Sequence, residues 1–248
     1  MRLSGLSGFL LFCIIFFPFA IEISAQQSNP DNVFYKNAVN NAVKRYHQSS
    51  GDQSGIYNGS QYGGYNFLFK EGHPYFNIDQ FVRGSIVYDG VLYDSVMLLY
   101  DEIMEVIVMQ NVVIRVQLIT DKISAFEIDN NHFIRIVKDS NSSELFATGF
   151  YQLLYEGNIT LLKKEVKTIR EQISNTDGLQ RFADKKTHYY IKDADKYYVI
   201  KRKKDMLALF SSHKKQIQQF IKENHLNYRK DRDNTLIKVT AYYDGLKK

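Results

Sequence analysis

The sequence predicts an α+β fold: one N-terminal helix, a long, curved, meander-like antiparallel sheet, and C-terminal amphipathic helices packed on that sheet. Three observations lead to this prediction. Apolar residues recur at helical spacing over residues 34–46, and they do so again after residue 204. Between these regions, residues 67–200 contain short runs rich in Val, Ile, Tyr and Phe, with turn residues between them. Segregation of helices and strands along a chain favours helices that cover one sheet.

The first 25 residues have the pattern of an export signal. Arg2 precedes an apolar run from Phe9 to Ala20, and the small residue Ala25 follows at the expected cleavage site. The run is too short to span a bilayer comfortably. The sequence therefore predicts an exported chain that begins near Gln26 and resides in the periplasm, at the cell surface or outside a Gram-negative bacterium.

The predicted mature chain has no thiol, because the only cysteine, Cys13, lies within the signal. This excludes disulfides, thiolate nucleophiles and cysteine-containing metal sites, and it fits a bacterial envelope. The most apolar later region, residues 96–119, is interrupted by three acids and Arg115. We therefore expect no membrane-spanning helix after cleavage.

We expect residues 26–248 to form a single domain. Residues 26–66 hold the predicted helix, with Asp31 as its N-cap, followed by a loop rich in Gly and Tyr. Residues 67–200 hold the sheet, and residues 201–248 form a basic helical tail.

The clearest predicted hairpin joins residues 85–88 to residues 91–99 through Asp89-Gly90, because this pair tolerates the positive φ angles of a tight turn. Val96–Leu99 is apolar on both faces, which predicts that either a closing sheet or a helix covers its second face. Four further hairpins are predicted, pairing 104–109 with 112–118, 123–128 with 132–137, 150–155 with 159–166, and 189–191 with 197–200.

The basic tail predicts helices with a break at Ser211-Ser212, and Asp233 as the N-cap of the last helix. From residue 185 onwards there are 17 Lys and Arg against 7 Asp and Glu. A basic amphipathic helix of this kind can lie on an anionic membrane surface, and the alternative is a solvated polar face. The candidate contacts are Lys201, Arg202, Lys203, Lys204, Lys214, Lys215 and Lys222.

A second candidate site is the loop around residues 57–65, which combines aromatic side chains, hydrogen-bonding groups and glycines as binding loops do. The alternative is a connector whose tyrosines pack down on the sheet. The residues proposed to contact a ligand or partner are Tyr57, Asn58, Tyr62 and Tyr65.

The sequence contains no local catalytic motif, and we predict no catalytic residue, metal site or cofactor. No two histidines have the spacing of a zinc protease, and no phosphate-binding glycine loop or nucleophile elbow is present. A hydrolase with a non-local site stays an alternative, because paired carboxylates could cleave a glycosidic bond. The acids considered for it are Asp89, Asp94, Asp101, Glu102 and Glu105.

The layout of signal, Tyr57-Asn58-Gly59, Tyr88-Asp89-Gly90, Gly149-Phe150-Tyr151 and Tyr242-Tyr243-Asp244 resembles a group of secreted or periplasmic proteins from Bacteroidota-type bacteria with no known activity. The resemblance implies an envelope location and no functional residue. We therefore expect a non-catalytic envelope protein that binds an apolar or amphiphilic ligand, or an envelope protein partner. Binding to an anionic lipid surface is the alternative, and no nucleic acid partner is expected.

Overall fold

The structure is a computed structural model. It describes residues 55–111, 114–138, 146–194 and 196–247. The predicted export signal and N-terminal helix lie outside the described residues.

Eleven described strands form one antiparallel sheet, and three helices follow it, so the fold is α+β with a large sheet. The strands are β1 Gly59–Gln61, β2 Val82–Tyr88, β3 Val91–Asp101, β4 Val106–Gln110, β5 Arg115–Leu118, β6 Ile123–Ile128, β7 Asn131–Ile136, β8 Gly149–Glu156, β9 Ile159–Ser174, β10 Gly178–Asp193 and β11 Lys196–Val199. The order across the sheet is β1-β5-β4-β3-β2-β6-β7-β8-β9-β10-β11. The meander therefore comes in two parts, β2–β5 and β6–β11, which join where β2 pairs with β6.

All five predicted hairpins are confirmed as antiparallel pairs. The turn at Asp89-Gly90 has φ angles of 53° and 77°, as a tight two-residue turn requires. The predicted start of the strand after β4, at residues 112 and 113, lies outside the described residues. The Asn111 side chain accepts a hydrogen bond of 2.8 Å from the Ile114 backbone N–H, and strand β5 begins at Arg115.

Two predicted strands are much shorter than the observed ones. The predicted strand at 159–166 extends to Ser174, and the predicted strand at 189–191 begins at Gly178, so β9 and β10 form a hairpin of 16 residues each. Polar residues on both faces of residues 168–184 hide the alternation that marks a half-buried strand. We call residues 168–184 the ribbon.

The predicted Gly- and Tyr-rich loop is not entirely a connector. Residues 55–57 form a 3-10 turn, and residues 59–61 form the edge strand β1, which pairs with β5. A side chain at Gly59 would collide with the Gln117 carbonyl oxygen. Glycine is therefore what lets this strand approach the sheet edge.

The C-terminal helices are α1 Lys203–Leu209, α2 Lys214–Glu223 and α3 Arg232–Leu246, and the predicted break at Ser211-Ser212 is confirmed. The predicted cap of the last helix is wrong. Asp231 is the N-cap and accepts a hydrogen bond of 3.2 Å from the Asn234 backbone N–H. Asp233 instead lies in the first helical turn, where its carboxylate pairs with Lys163 on β9 at 2.9 Å.

The helices pack on one end of the sheet through a continuous apolar layer, which we call the helical core. Its sheet side comes from β8, β9, β10 and Ile200, which follows β11, and its helix side comes from α1 to α3. Met206, Ile217, Leu236 and Val239 are fully enclosed there. Protein side chains therefore occupy the space between sheet and helices.

The other end of the sheet surrounds an aromatic core. Phe126 and Phe133 stack with ring centroids 4.6 Å apart, and Tyr100 and Phe150 meet Phe126 edge to face. Leu98 faces this core, while the next residue, Leu99, packs in a separate cluster with Tyr62. Strand β3 is therefore covered on both faces, and the second cover is the irregular segment before β2.

Two ion pairs join the turn after β3 to strand β9. Glu105 pairs with Lys164, and Glu102 pairs with Lys167 at 3.0 Å. The first pair lies directly over Gly149, where a Cβ atom would overlap both Glu105 Oε1 and Lys164 Nζ. The absence of a side chain at Gly149 is what allows this contact.

We predict that Gly149→Ala lowers the free energy of unfolding by about 2 to 3 kcal/mol, because the φ of 154° strains a residue with a side chain and the new Cβ would displace Lys164 from Glu105. Denaturant unfolding monitored by circular dichroism measures the change. Gly178→Ala is the control for backbone strain, since its φ of 70° is also positive and a Cβ there meets no atom within 4 Å, and it should cost about 1 kcal/mol.

If the overlap is the cause, Gly149→Ala should cost clearly less in a Glu105→Ala background, where the ion pair is already lost. An equal cost in both backgrounds would contradict this explanation.

Candidate binding site

The segment before β2, residues 62–81, carries the candidate site, and we call it the bridging segment. Backbone hydrogen bonds join it to β3, from Phe76 N–H to the Tyr100 carbonyl and from Glu102 N–H to the Pro74 carbonyl, both at 2.9 Å. Further on, Lys70 N–H donates to the Arg181 carbonyl of β10 at 2.7 Å. The segment thus spans from the centre of the sheet to the ribbon.

A buried carboxylate anchors the bridging segment. Asp101 is fully buried at the end of β3, and it accepts hydrogen bonds from the hydroxyls of Tyr62 at 2.8 Å and Tyr65 at 3.0 Å. It also accepts from the backbone N–H groups of Ile103 and Met104, each at 2.9 Å. Burial, together with the negative charge of Asp101, raises the pKa of each tyrosine hydroxyl far above the ordinary value for tyrosine. Both hydroxyls therefore stay protonated and can donate.

The anchored tyrosine begins an aromatic triad. The rings of Tyr65, Phe67 and Phe69 meet edge to face, with centroids 5.3 to 5.5 Å apart. The Arg181 guanidinium lies 4.2 Å from the centroid of Phe67 and supports the triad by a cation–π contact.

An open cleft of about 270 Å³ lies beside the triad. His73 stacks on Tyr75 along it, with ring centroids 6.2 Å apart, and Asp79 adds a carboxylate at the rim. Burial, reinforced by the charge of Lys167, lowers the pKa of His73, which favours a neutral imidazole. The cleft therefore offers aromatic faces with a few polar groups, the usual composition of a recognition site.

The surface next to the cleft exposes large aliphatic side chains. Leu68 is 92% exposed, Ile173 is 81% exposed and Leu179 is 49% exposed. Ile173 and Leu179 are directly paired across the ribbon. The parallel pairing of Lys70 with Arg181 and of Glu71 with Phe182 attaches the stretch that carries Leu68 to the ribbon. We call these three residues the aliphatic patch.

The charged groups around the aliphatic patch are neutralised locally. Ion pairs join Arg181 to Glu171 at 2.8 Å, Arg170 to Asp184 at 2.7 Å, and Lys70 to Asp177 at 3.2 Å. Although the chain carries a net charge of +5, this region presents an apolar and nearly uncharged surface.

The structure does not bring the four predicted loop residues together. Tyr65 lines the aromatic cleft, whereas Asn58 lines a separate open cleft of about 520 Å³ beside β5. The Asn58 carbonyl also accepts the Tyr88 hydroxyl at 2.8 Å, and Tyr57 packs against the aromatic core. Tyr62 is buried on Asp101, so the packed-down alternative describes most of this loop.

Sequence reasoning missed the residues that form most of the cleft, namely Phe67, Phe69, His73 and Tyr75. Their Phe-x-Phe spacing resembles the start of a strand, and the sheet was predicted to begin there. The available signal was His73-Pro74, since a proline disfavours a central strand.

The five acids considered for hydrolysis have separate structural partners. Asp89 pairs with Lys122 at 2.8 Å, and the Asp94 side chain accepts the Ser95 backbone N–H. Asp101 anchors the bridging segment, and Glu102 and Glu105 pair with lysines of β9. Burial raises the pKa of Glu102 despite the opposing charge of Lys167.

The seven predicted cationic contacts are all exposed at the start of α1 and along α2. None of them forms an ion pair with the part of the chain that the structure describes.

No group of three or more metal-ligating His, Cys, Asp or Glu side chains occurs within the described ranges. No helix in the described part of the chain is both long enough and apolar enough to cross a bilayer. Comparison of the chain with protein-family models, with curated proteins and with solved structures gave no match.

We predict that Asp101→Asn lowers the free energy of unfolding by about 2 to 4 kcal/mol, because an amide NH2 replaces one carboxylate oxygen and leaves two of the four surrounding donors without an acceptor. Chemical denaturation gives the value. Tyr65→Phe removes one of these bonds and should cost about 1 kcal/mol. Equal costs for the two variants would show that Asp101 is not the anchor.

Proposed function

We propose that the chain is an exported, non-catalytic binding protein that recognises a segment of a protein partner. The observation that supports this is the combination of the aromatic cleft with the aliphatic patch beside it. Leu68 lies between the triad residues Phe67 and Phe69 in sequence, so the cleft and the patch share one stretch of chain.

The size of the cleft favours a peptide segment over a larger small molecule. Its volume of about 270 Å³ lies below the roughly 300 to 1,000 Å³ of most small-molecule sites. One or two side chains of a partner would fill it, and aromatic-lined grooves commonly receive extended, proline-containing peptides. The remaining contact would come from the aliphatic patch.

The surroundings of the cleft also suit a protein partner. Exposed leucine and isoleucine side chains at a neutral surface are costly in water and are typical of interaction surfaces. Aromatic and arginine side chains dominate binding energy in such surfaces, and the triad is supported by Arg181. An acyl chain beneath the helices, the alternative ligand, would compete with the side chains that already fill the helical core.

Site-specific photo-crosslinking tests this proposal. We expect a photoreactive phenylalanine analogue at Ile173 to give a discrete protein adduct in the envelope of the native host. A probe at Leu92 is the control, since Leu92 is 61% exposed on another strand.

Leu68→Asp should reduce the adduct from Ile173 by at least about tenfold, because it places a charge at the centre of an apolar contact. Leu92→Asp makes the same chemical change elsewhere and should leave the adduct intact. An adduct that forms equally from position 92, or that survives Leu68→Asp, would contradict the proposal.

A further inference from the structure

We propose that the exposed cations of α1 and α2 form a contact surface for an anionic phospholipid bilayer, and that this contact depends on charge alone, without insertion of apolar side chains. This inference is independent of the proposed partner site, because the ribbon and the helices lie at opposite ends of the long β9–β10 hairpin. We call the seven cations listed above the cationic patch.

The burial of α2 excludes the usual mode of an amphipathic membrane helix. Ile217 and Ile221 face the helical core, and Phe220 stacks on Tyr242 of α3 with ring centroids 4.2 Å apart. The apolar side that would enter a bilayer is therefore already used within the protein. Only the polar side, which carries Lys214, Lys215 and Lys222, faces outward.

Two acidic side chains near the cationic patch accept hydrogen bonds from neighbouring groups and form no ion pair with its cations. Asp205 accepts from the backbone N–H groups of Lys201 and Arg202, at 3.2 and 2.8 Å. Glu223 accepts from the Gln219 side chain at 2.7 Å. The side-chain charges of the patch are thus left without an ion-pair partner in the described residues.

Two of the lysines lie where the helix itself disfavours them. Lys214 and Lys215 occupy the first positions of α2, and its first turn contains no acid. Positive charge at a helix N-terminus opposes the helix dipole. An external anionic surface would offset this repulsion, whereas a solvated face would leave it in place.

The arrangement fits an extended surface better than a small anion. Lys214 and Lys222 are eight residues apart on α2, which corresponds to roughly 12 Å along the helix at about 1.5 Å per residue. Lys215 is next to Lys214, and the four cations outside α2 precede or begin α1. Charges spread in this way match the many headgroups of a bilayer, while a single phosphate would need converging donors.

Vesicle sedimentation of the processed chain tests the proposal. We expect binding to vesicles of phosphatidylcholine with phosphatidylglycerol, and none to phosphatidylcholine alone. Binding should be lost between about 0.1 M and about 1 M NaCl, where the Debye length falls from about 10 Å to about 3 Å.

The patch variant combines Lys203→Glu, Lys214→Glu and Lys215→Glu. Each lysine near an anionic bilayer strengthens binding by roughly fivefold, so the variant should lose at least about a hundredfold. Its midpoint of thermal unfolding should stay equal or rise, because acids at helix N-termini are favourable. This separates lost binding from lost folding.

The matched control changes three exposed cations outside the cationic patch, Arg83→Glu, Lys138→Glu and Lys186→Glu, and thus the same net charge. It should retain most of the binding. Equal losses in both variants, binding that persists in high salt, displacement by millimolar inorganic phosphate, or equally tight binding of duplex DNA would each overturn the proposal.

Discussion

The buried carboxylate of Asp101 is the contact on which the outer layer of the sheet depends. Four donors from two directions converge on it, two from the turn that follows β3 and two from tyrosines of the bridging segment. An ionised carboxylate in a dry interior is costly unless such donors satisfy it, and the same donors are costly without the carboxylate. Because neither side is stable alone, the bridging segment is held against the second face of β3, and the aromatic cleft is built on that support.

A second group of charges joins β9 and β10 to the start of α3. Lys163 and Lys185 both pair with Glu165, and Lys163 also reaches Asp233 at the start of α3. Burial disfavours the charge on Glu165, but the two lysines outweigh it and hold the pKa of Glu165 below its ordinary value. The long β9 strand thus carries apolar residues into the helical core at one end and paired charges at its centre. One of these pairs, Lys163 with Asp233, joins the sheet to a helix, and the other two lie within the β9–β10 hairpin.

The sequence was most informative where one physical rule decides the outcome. Asp89-Gly90 specifies a tight turn by its φ angles, and the Ser211-Ser212 break was visible because the apolar stripe stops on either side of it. Prediction failed where tertiary contacts override the local pattern. The ribbon remains a strand pair although its alternation is weak, since each backbone group finds its partner across the hairpin. The cleft was missed because its support, Asp101, lies 36 residues from Tyr65, and no local spacing reveals that pair.

The two proposed contacts fall at the positions where this chain departs from what stability alone would favour. Leucine at 92% exposure gains nothing from burial within the fold, and lysines at a helix N-terminus weaken that helix. Neither the exposed leucine nor these lysines belong to the two cores, so packing of the cores within the described structure does not explain them. They also differ in chemistry, because one surface is apolar with its charges paired and the other is cationic with its charges unpaired. A chain that keeps two such surfaces at opposite ends of one long β hairpin is suited to hold a protein partner at one end while the other end rests on an anionic bilayer.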